Sequence, residues 1–327
     1  MLLPNLRRML KLTGVIFVMA SFLAGSANAF AQGFVPGTGQ KVAEVGDDFE
    51  DADWEYIPNL PKASSVQDKN PRYPTGEAKN GRVFESAYRG QPDIVARVPT
   101  PPGGLPGSKG SLKMRSWLTG IPDAPSYKMQ QDDLLINGSG RLGYSIPVGW
   151  RPSLVVRVFM PPFAQWEKRS GSTFGFRADC ITTVNKRDEK EDKYGRKIPF
   201  GKSRRREEQY WPGFFVQFNS KADGNTEDSA VLLIRSDEMG QDLVGPRITE
   251  SGWWTLGMSF TPDGAVHYYA SPGVDNLTPK DYLTSRHPYG FKCETLNTCF
   301  FNICAMDNSK TWSTEWIVDD PSLYTWR

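Results

Sequence analysis

The chain has 327 residues, of which 39% are hydrophobic and 23% are charged, and its formal net charge is +2. This near-neutral balance excludes the strong positive charge that is typical of a general nucleic-acid binder. After the N-terminal region no run approaches about 20 apolar residues, so no membrane-spanning helix is predicted there.

Residues 1–29 are typical of a secretory signal peptide. A basic start is followed by an uncharged apolar run over residues 12–25, and 26-SANA-29 fits a cleavage site before Phe30. Cleavage would remove Arg7, Arg8 and Lys11 and no acidic residue, so the net charge would fall from +2 to about −1. We expect an exported protein (secreted, periplasmic or at the cell surface) that does not span a membrane after cleavage. A retained N-terminal anchor is the alternative.

Residues 30–46 are Gly-rich and polar and predict a flexible leader. The stretch 47-DDFEDADWEYI-57 alternates enough to begin a strand. Residues 58–81 are dense in Pro, Gly, Asn and Ser, which is typical of loops.

Strand signals recur along the rest of the chain, as runs of alternating apolar residues bounded by Gly, Pro, Asn and Asp. The predicted strands lie at residues 92–99, 111–117, 153–160, 173–180, 213–220, 230–236, 253–260, 265–270, 299–306 and 315–320. Residues 279–287 predict one short helix. So many strands predict an all-β fold, and no linker divides them, so residues 47–327 are predicted to form one β-sandwich domain.

One charged insertion interrupts the strand series, 186-KRDEKEDKYGRKIPFGKSRRREEQ-209. It has no apolar period and carries charges of both signs. We therefore predict a solvated loop, with a polyanion-binding arm as the alternative.

Four cysteines follow the signal: Cys180, Cys293, Cys299 and Cys304. Export brings a chain to an oxidising compartment, so we expect one or two disulfides, with three connectivities open. The spacings are poor for a zinc site.

Four segments carry a resemblance to a known family: 48-DFEDADWEY-56, 97-RVPTPPGGLPGSKGSLKMRS-116, 250-ESGWWTLGMSFTPDGAVHYYASPG-273 and 316-WIVDDPSLYTW-326. The chain resembles the concanavalin A-like lectin/glucanase superfamily, which includes laminin G-like domains, and it is similar to uncharacterised secreted bacterial proteins of this type. The resemblance covers about residues 46–327. It implies a two-sheet antiparallel jelly roll, and the fold alone implies no single function.

Polar and aromatic residues alternate with the apolar sets on several predicted strands. The candidate ligand-binding residues are Arg157, Arg177, Gln217, Arg235, Trp253, His267 and Tyr269, with Ser259 beside them. On one sheet they would form a cationic, aromatic-lined concave face that suits a carbohydrate. The alternative is that they lie on both outer sheet faces and do not converge.

Catalysis has a weaker signal. The Glu-x-Asp-x-Glu strand motif of the superfamily's glycosidases is absent, and 188-DEKED-192, its nearest match, lies in the charged insertion. Jelly-roll polysaccharide lyases neutralise a uronate carboxylate with Arg and Gln; their strand motifs are absent here, and Arg157 and Gln217 match them by residue type only. His267 and Tyr269 would then serve as base and acid.

The resemblance also implies a structural Ca²⁺ between the first and last strands. Its candidate oxygen ligands are Asp48, Glu50, Asp51, Asp319 and Asp320. The alternative is that these acids cap strands and face solvent.

Together these features favour a lectin-like module that binds extracellular polysaccharide or glycoconjugate without cleaving it. A polysaccharide lyase or glycoside hydrolase that uses the concave face is the first alternative. A structural cell-surface module is the second. Nucleic acid is not an expected partner.

Overall fold

The computed structural model describes residues 33–62, 65, 66, 69, 72–119 and 123–327. The predicted signal peptide lies outside the described residues. The strands, in chain order, are β1 (Gln40–Gly46), β2 (Tyr56–Ile57), β3 (Glu77–Ala78), β4 (Val83–Glu85), β5 (Ile94–Pro99), β6 (Gly110–Arg115), β7 (Met129–Ile136), β8 (Ile146–Pro147), β9 (Ser153–Met160), β10 (Gly171–Glu191), β11 (Lys197–Tyr210), β12 (Gly213–Asn219), β13 (Ser229–Arg235), β14 (Asp242–Ile248), β15 (Gly252–Phe260), β16 (Val266–Pro272), β17 (Tyr282–Arg286), β18 (Thr295–Met306) and β19 (Trp316–Thr325).

Helices are few and short. Among the described residues one α-helix, α1, spans Ser139–Leu142, and 3₁₀ turns cover Val148–Trp150, Phe163–Gln165, Lys221–Asp223, Pro279–Asp281 and Pro288–Gly290. Within the described part of the chain, no helix has the length and apolar character that crossing a membrane requires.

The strands form two antiparallel sheets. Sheet A has the order β17-β16-β15-β9-β19-β6-β5, and β1 also pairs with β19. Sheet B has the order β14-β13-β12-β10-β18-β7-β4-β3-β2, with β11 paired to β10 and β8 paired to β18. The predicted all-β, two-sheet antiparallel sandwich, which the resemblance to concanavalin A-like proteins implied, is confirmed.

The core lies between the sheets and is rich in aromatic rings. On sheet B, Phe174 and Phe176 of β10 alternate with Gly175 and Arg177, so only the two Phe residues face sheet A. The Phe174 ring centre is 4.9 Å from that of Trp316 on sheet A. Burial of each such side chain contributes roughly 1.5–3 kcal/mol to folding.

The hairpin of β15 and β16 forms as predicted. The Thr261 amide bonds the Ala265 carbonyl, and the Gly264 amide bonds the Thr261 carbonyl. Gly264 has a φ of 82°, which glycine adopts without steric cost. The turn therefore places Val266 and Tyr268 in the core and His267 on the outer face of sheet A.

The predicted flexible leader needs correction over its described part. Residues 40–46 form β1, which pairs with the last strand, β19. Residues 33–38 lie on the outer face of sheet A, where the Ser259 hydroxyl donates to the Phe34 carbonyl (2.7 Å). These are long-range backbone contacts, which a polar, Gly-rich composition does not reveal.

The charged insertion is a two-stranded ribbon, so the prediction of a loop is wrong. β10 continues past the sheet to Glu191 and pairs with β11 from Cys180↔Tyr210 outward. Cross-strand ion pairs support this ribbon, including Lys186 with Glu208 at 3.1 Å. Residues 279–287, predicted as a helix, form a 3₁₀ turn followed by β17. Pairing with β16 favours the extended conformation there.

Candidate functional site

A cleft of about 350 Å³ lies on the outer face of sheet B, opposite the core. It is lined by Val66, Ser86, Tyr88, Arg89, Gln131, Asp133, Leu135, Arg177, Asp179, Gln209, Trp211 and Phe300. The lining combines apolar and aromatic surface with cationic, anionic and amide groups. A mixture of this kind can bind a ligand that has both a flat apolar surface and many hydrogen-bonding groups.

Strand register assembles the floor of this cleft from segments that are distant in sequence. Gln131, Asp133 and Leu135 are alternate residues of β7, so they share one face. β18 pairs Leu135 with Phe300, and β10 pairs Phe300 with Arg177. The three strands therefore place an apolar residue, an aromatic ring and a guanidinium side by side.

Arg177 is held firmly in the floor. Its Nε and Nη2 atoms donate to the Trp211 carbonyl at 3.0 and 2.6 Å. Its guanidinium lies 5.2 Å from the Phe215 ring centre and 5.5 Å from that of Phe300. Burial lowers the pKa of Arg177, yet a guanidinium remains protonated in proteins. Its Nη1 atom has no hydrogen bond to any described residue, so it can donate to a ligand.

Two carboxylates supply acceptors. Asp133 Oδ1 accepts from the Asn302 amide at 2.6 Å and from the Gln131 amide at 2.8 Å. Burial raises the pKa of Asp133 above its ordinary value. Gly175 leaves room for this arrangement, since a Cβ atom there would lie 2.4 Å from Asn302 Oδ1.

Asp179 is the second carboxylate. Its Oδ2 atom accepts from the Asn297 amide at 3.1 Å, its buried Oδ1 atom makes no hydrogen bond of normal geometry to a described residue, and the carboxylate also interacts with the Trp211 side chain. Burial raises the pKa of Asp179. A buried carboxylate oxygen without a hydrogen bond of normal geometry favours binding of a hydrogen-bond donor such as a hydroxyl.

Exposed aromatic rings flank the polar floor. Tyr88 is 62% exposed and Trp211 is 40% exposed, so both rings are accessible to a ligand. Arg89 lies beside Tyr88, and Gln209 precedes Trp211 at the base of the ribbon. The rings offer flat apolar faces next to amide and guanidinium donors.

Three of the predicted ligand-binding residues lie on this face of sheet B. Arg177 lines the cleft, as described. Arg235 also contacts the Phe215 ring, 5.1 Å from its centre, and makes a bidentate pair with Asp242 at 2.5 and 3.0 Å. Gln217 donates to Asn219 at 3.4 Å and does not line the cleft.

The other four lie on the outer face of sheet A. The prediction that the candidate ligand-binding residues share one concave face is therefore wrong. Arg157 binds Asp320 at 3.2 Å and Asn276 at 3.0 Å. The Trp253 indole packs on Phe159, with ring centres 5.5 Å apart. The physical reason for the separation is strand order, since β9, β15 and β16 are neighbours in sheet A.

His267 and Tyr269 are covered by the N-terminal segment. The His267 side chain is 1% exposed, and it contacts Ser285 and bonds the Thr261 hydroxyl at 2.8 Å. Burial lowers the pKa of His267 to about 4. Tyr269 donates to the Gly33 carbonyl at 3.0 Å, and burial raises its pKa to about 12. The structure therefore does not bring the candidate catalytic residues, His267, Tyr269, Arg157 and Gln217, into one site.

The predicted calcium ligands bond instead to protein groups. Asp48 accepts from the Glu50 amide at 3.2 Å, and Glu50 accepts from the Lys109 amide at 2.8 Å. Asp319 accepts from the Ser108 hydroxyl, and Asp320 pairs with Lys41 and Arg157. In the part of the chain that the structure describes, no three His, Cys, Asp or Glu side chains gather to hold a metal ion. As placed in the structure, with their oxygens bonded to protein groups, these residues do not fit a calcium centre.

The four cysteines are free, buried thiols, so the predicted disulfides are not present in the structure. Cys299 faces the core and Cys304 lies on the opposite face of the same strand, so these two cannot pair with each other. Cys180 interacts with Cys293, and burial raises the pKa of Cys180 well above its ordinary value.

Sequence reasoning found only Arg177 among the residues that line the cleft. Asp133 and Gln131 belong to a run, 129-MQQDDLLI-136, whose alternation is interrupted by two adjacent aspartates. The other aspartate, Asp132, points to the core side, where it binds Lys62 at 2.8 Å and Ser116 at 2.6 Å. Tyr88 and Trp211 lie outside the strands, where no periodicity marks them. Only Asp179 could have been found from the sequence. It follows Arg177 by two residues on the same strand, and residues so spaced share a face.

No family model and no curated protein matches the chain. It is similar to a conserved carbohydrate esterase from the Shiga toxin-encoding bacteriophage phi24B, with 10% identity, 75% of this chain and 90% of that chain covered, and a TM-score of 0.41. It is also similar to an alginate lyase from Pseudomonas aeruginosa, with 10% identity, 72% of this chain and 87% of that chain covered, and a TM-score of 0.35. A third similar structure is an endo-β-1,4-glucuronan lyase from the fungus Trichoderma reesei, with 10% identity, 83% of this chain and 94% of that chain covered, and a TM-score of 0.35.

Proposed function

We propose that the protein is an exported, non-catalytic carbohydrate-binding module, and that the cleft on sheet B binds a segment of polysaccharide or glycoconjugate. The observation that carries this proposal is the position of Arg177. It is fixed in the floor of a cleft, its Nη1 atom is not bonded to any described residue, and exposed Tyr88 and Trp211 rings belong to the same lining.

The chemistry of a sugar matches this lining. A pyranose ring has an apolar face that packs on an aromatic ring, and its hydroxyls both donate and accept hydrogen bonds. Tyr88 and Trp211 supply the rings. Arg177 and the amides of Gln131 and Gln209 supply donors, and Asp179 supplies an acceptor.

The arrangement favours binding over cleavage. Asp133 pairs with Asn302 of β18, whereas Asp179 pairs with Thr298. Four residues of strand separate these positions by about 13 Å along the sheet, more than the roughly 5–9.5 Å that paired glycosidase carboxylates require. No histidine occurs among the described residues that line the cleft, and His267 lies on the other sheet. The separation of the carboxylates disfavours a glycosidase, and the lack of histidine in the described lining disfavours a lyase that uses His as its base.

A polysaccharide panel tests the proposal. The purified protein would be run by affinity electrophoresis in gels that contain neutral or acidic polysaccharides. Cleavage would be followed in parallel by the absorbance of new unsaturated uronates and by new reducing ends. Tyr88→Ala is the cleft variant, and Tyr282→Ala on β17, 44% exposed on the other sheet, is its matched control.

We expect at least one polysaccharide to retard the protein without new ends, and Tyr88→Ala, unlike Tyr282→Ala, to abolish the retardation. New unsaturated ends would overturn the binding proposal in favour of a lyase. Retardation that Tyr88→Ala leaves unchanged would show that the cleft is not the site. Absence of retardation by every polysaccharide would favour a structural module.

A further inference from the structure

We propose that the ribbon, the charged insertion of residues 186–209, binds the acidic groups of the same polysaccharide chain that occupies the cleft. The ligand class is then an acidic polysaccharide, with carboxylate or sulfate groups along its length. This inference rests on the proposed carbohydrate-binding function and names the chemistry of its ligand.

The basic charge of the ribbon is concentrated on its second strand, β11, and on the turn that precedes it, whereas the facing strand β10 carries charges of both signs. From Lys193 to Arg206 every charged residue is basic: Lys193, Arg196, Lys197, Lys202, Arg204, Arg205 and Arg206. All residues from 193 to 207 are exposed. Such a surface attracts a polyanion. Salt weakens this attraction, because exposed charges are screened over about 10 Å at 0.1 M ionic strength.

Ion pairs within the ribbon leave part of this charge uncompensated. Glu208 binds Lys186, Glu189 binds Lys197 at 3.7 Å, and Asp192 binds Arg196 at 2.6 Å. Asp188 binds Arg206. Lys202, Arg204 and Arg205 have no ion pair with any described residue. These three cations can therefore contact an external anion without loss of an internal pair.

Exposed aromatic rings accompany the cations. Tyr194 is 69% exposed, and the Lys193 ammonium lies 4.9 Å from its ring centre. Phe200 is 46% exposed, with Lys190 at 6.0 Å from its ring centre. Ring and charge together match an acidic sugar, which has an apolar face beside its anionic group.

The ribbon continues directly into the cleft. Gln209, its last residue, and Trp211, which follows the end of β11, both line the cleft. From Lys197 to Gln209 the strand extends by about 40 Å, at roughly 3.3 Å per residue. A polymer can contact both surfaces at once, whereas a single sugar cannot. Because the ribbon leads into the cleft, the polyanion that it binds should be the polymer that the cleft binds. This favours a polysaccharide, since nothing about the cleft residues favours nucleic acid.

The test compares polygalacturonate with its fully methyl-esterified form, which keeps the backbone and removes the charge. Alginate, chondroitin sulfate, neutral dextran and a DNA duplex complete the set of ligands. The ribbon variant is Lys202→Gln, Arg204→Gln and Arg205→Gln combined. Its matched control is Lys280→Gln, Arg286→Gln and Lys310→Gln, which removes the same charge from three other surface sites without a side-chain ion pair to any described residue. Circular dichroism would establish that both fold.

We expect the wild-type protein to bind at least one acidic polysaccharide, and the ribbon variant to bind it about tenfold more weakly at low salt, where electrostatic contacts are least screened. The control variant should bind as the wild type does, and the difference should shrink as salt is added. Tyr88→Ala should weaken the same binding.

Three results would overturn the inference, and the first two would leave the proposed function in place. The first is retention of neutral polymers only. The second is equal binding of acidic polymer by the ribbon variant while Tyr88→Ala loses it. The third is ribbon-dependent binding of the DNA duplex that Tyr88→Ala leaves unchanged, since the ribbon would then serve nucleic acid. If no polysaccharide binds, the proposed function itself is wrong.

Discussion

The guanidinium of Arg177 lies 5.2 Å from the centre of the Phe215 ring, on the face of sheet B that does not contact the core. Two of its nitrogens are bound to the Trp211 carbonyl, so the orientation of the group is set before a ligand arrives. A side chain already ordered in the free protein loses less conformational freedom on binding. The cleft therefore has a fixed cation at its floor.

The first prediction concerns this cation. Arg177→Lys keeps the charge but loses the planar contact with Phe215 and the paired donation to Trp211. We expect affinity for an acidic polysaccharide to fall about tenfold, measured by affinity electrophoresis. Arg235→Lys, at a residue that contacts the same ring but does not line the cleft, is the control and should retain affinity. Equal affinities for the two variants would contradict the assigned role of Arg177.

The second prediction concerns His267 and pH. Burial lowers its pKa from 6.5 to about 4, so the folded protein prefers the neutral ring. As the pH falls below 6.5, the unfolded chain takes up a proton first. The contribution of neutral His267 to the free energy of unfolding is therefore fully present above pH 6.5. It is lost as the pH falls to about 4, which lowers the free energy of unfolding by on the order of 3 kcal/mol.

Urea denaturation at neutral pH and near pH 4 measures this contribution. The wild type should lose stability between neutral pH and pH 4, and the His267→Gln variant should lose much less. His287→Gln changes the only other histidine of the chain and should leave the loss in place. If both variants keep the wild-type pH dependence, His267 is not its source.

The third prediction concerns the thiols. Burial raises the pKa of Cys299 and of Cys304 to about 12, and all four cysteines are buried. Thiolate is the reactive form, so Ellman's reagent should react slowly with the folded protein and rapidly with four thiols after denaturation. A count of two after denaturation would instead restore a predicted disulfide, with the neighbouring Cys180 and Cys293 as its natural partners.

The fourth prediction concerns calcium. Asp320 already binds Lys41 at 2.7 Å and Arg157 at 3.2 Å, which links β1, β19 and β9 without a metal. We expect the same melting temperature in EDTA and in calcium, and a lower one for Asp320→Asn in both. A melting temperature that rises with calcium in the wild type and not in Asp320→Asn would establish the predicted metal.

Local pattern predicted the core strands well. The run 153-SLVVRVFM-160 coincides with β9, and Thr261–Gly264 forms the predicted turn, because alternation and turn residues act over a few positions. Pairings between distant segments could not be predicted. Asp132 is stabilised in the core by Lys62 and Ser116, and β1 depends on β19.

The same limit explains the candidate site. Arg177 was found because it alternates with Phe174 and Phe176 on one strand. Tyr88 and Trp211 were missed because their position depends on loops packed over sheet B. His267 was chosen for its side-chain type, whereas its surroundings, set by residues 33–38, make it a buried structural group.

The most direct measurement is a crystal structure of the protein with an oligosaccharide cut from the polysaccharide it retains best. The account predicts density for sugar rings in the cleft on sheet B, against Tyr88 or Trp211, with an oxygen within hydrogen-bond distance of Arg177 Nη1. Density on the outer face of sheet A, beside Trp253, with an empty cleft would contradict it.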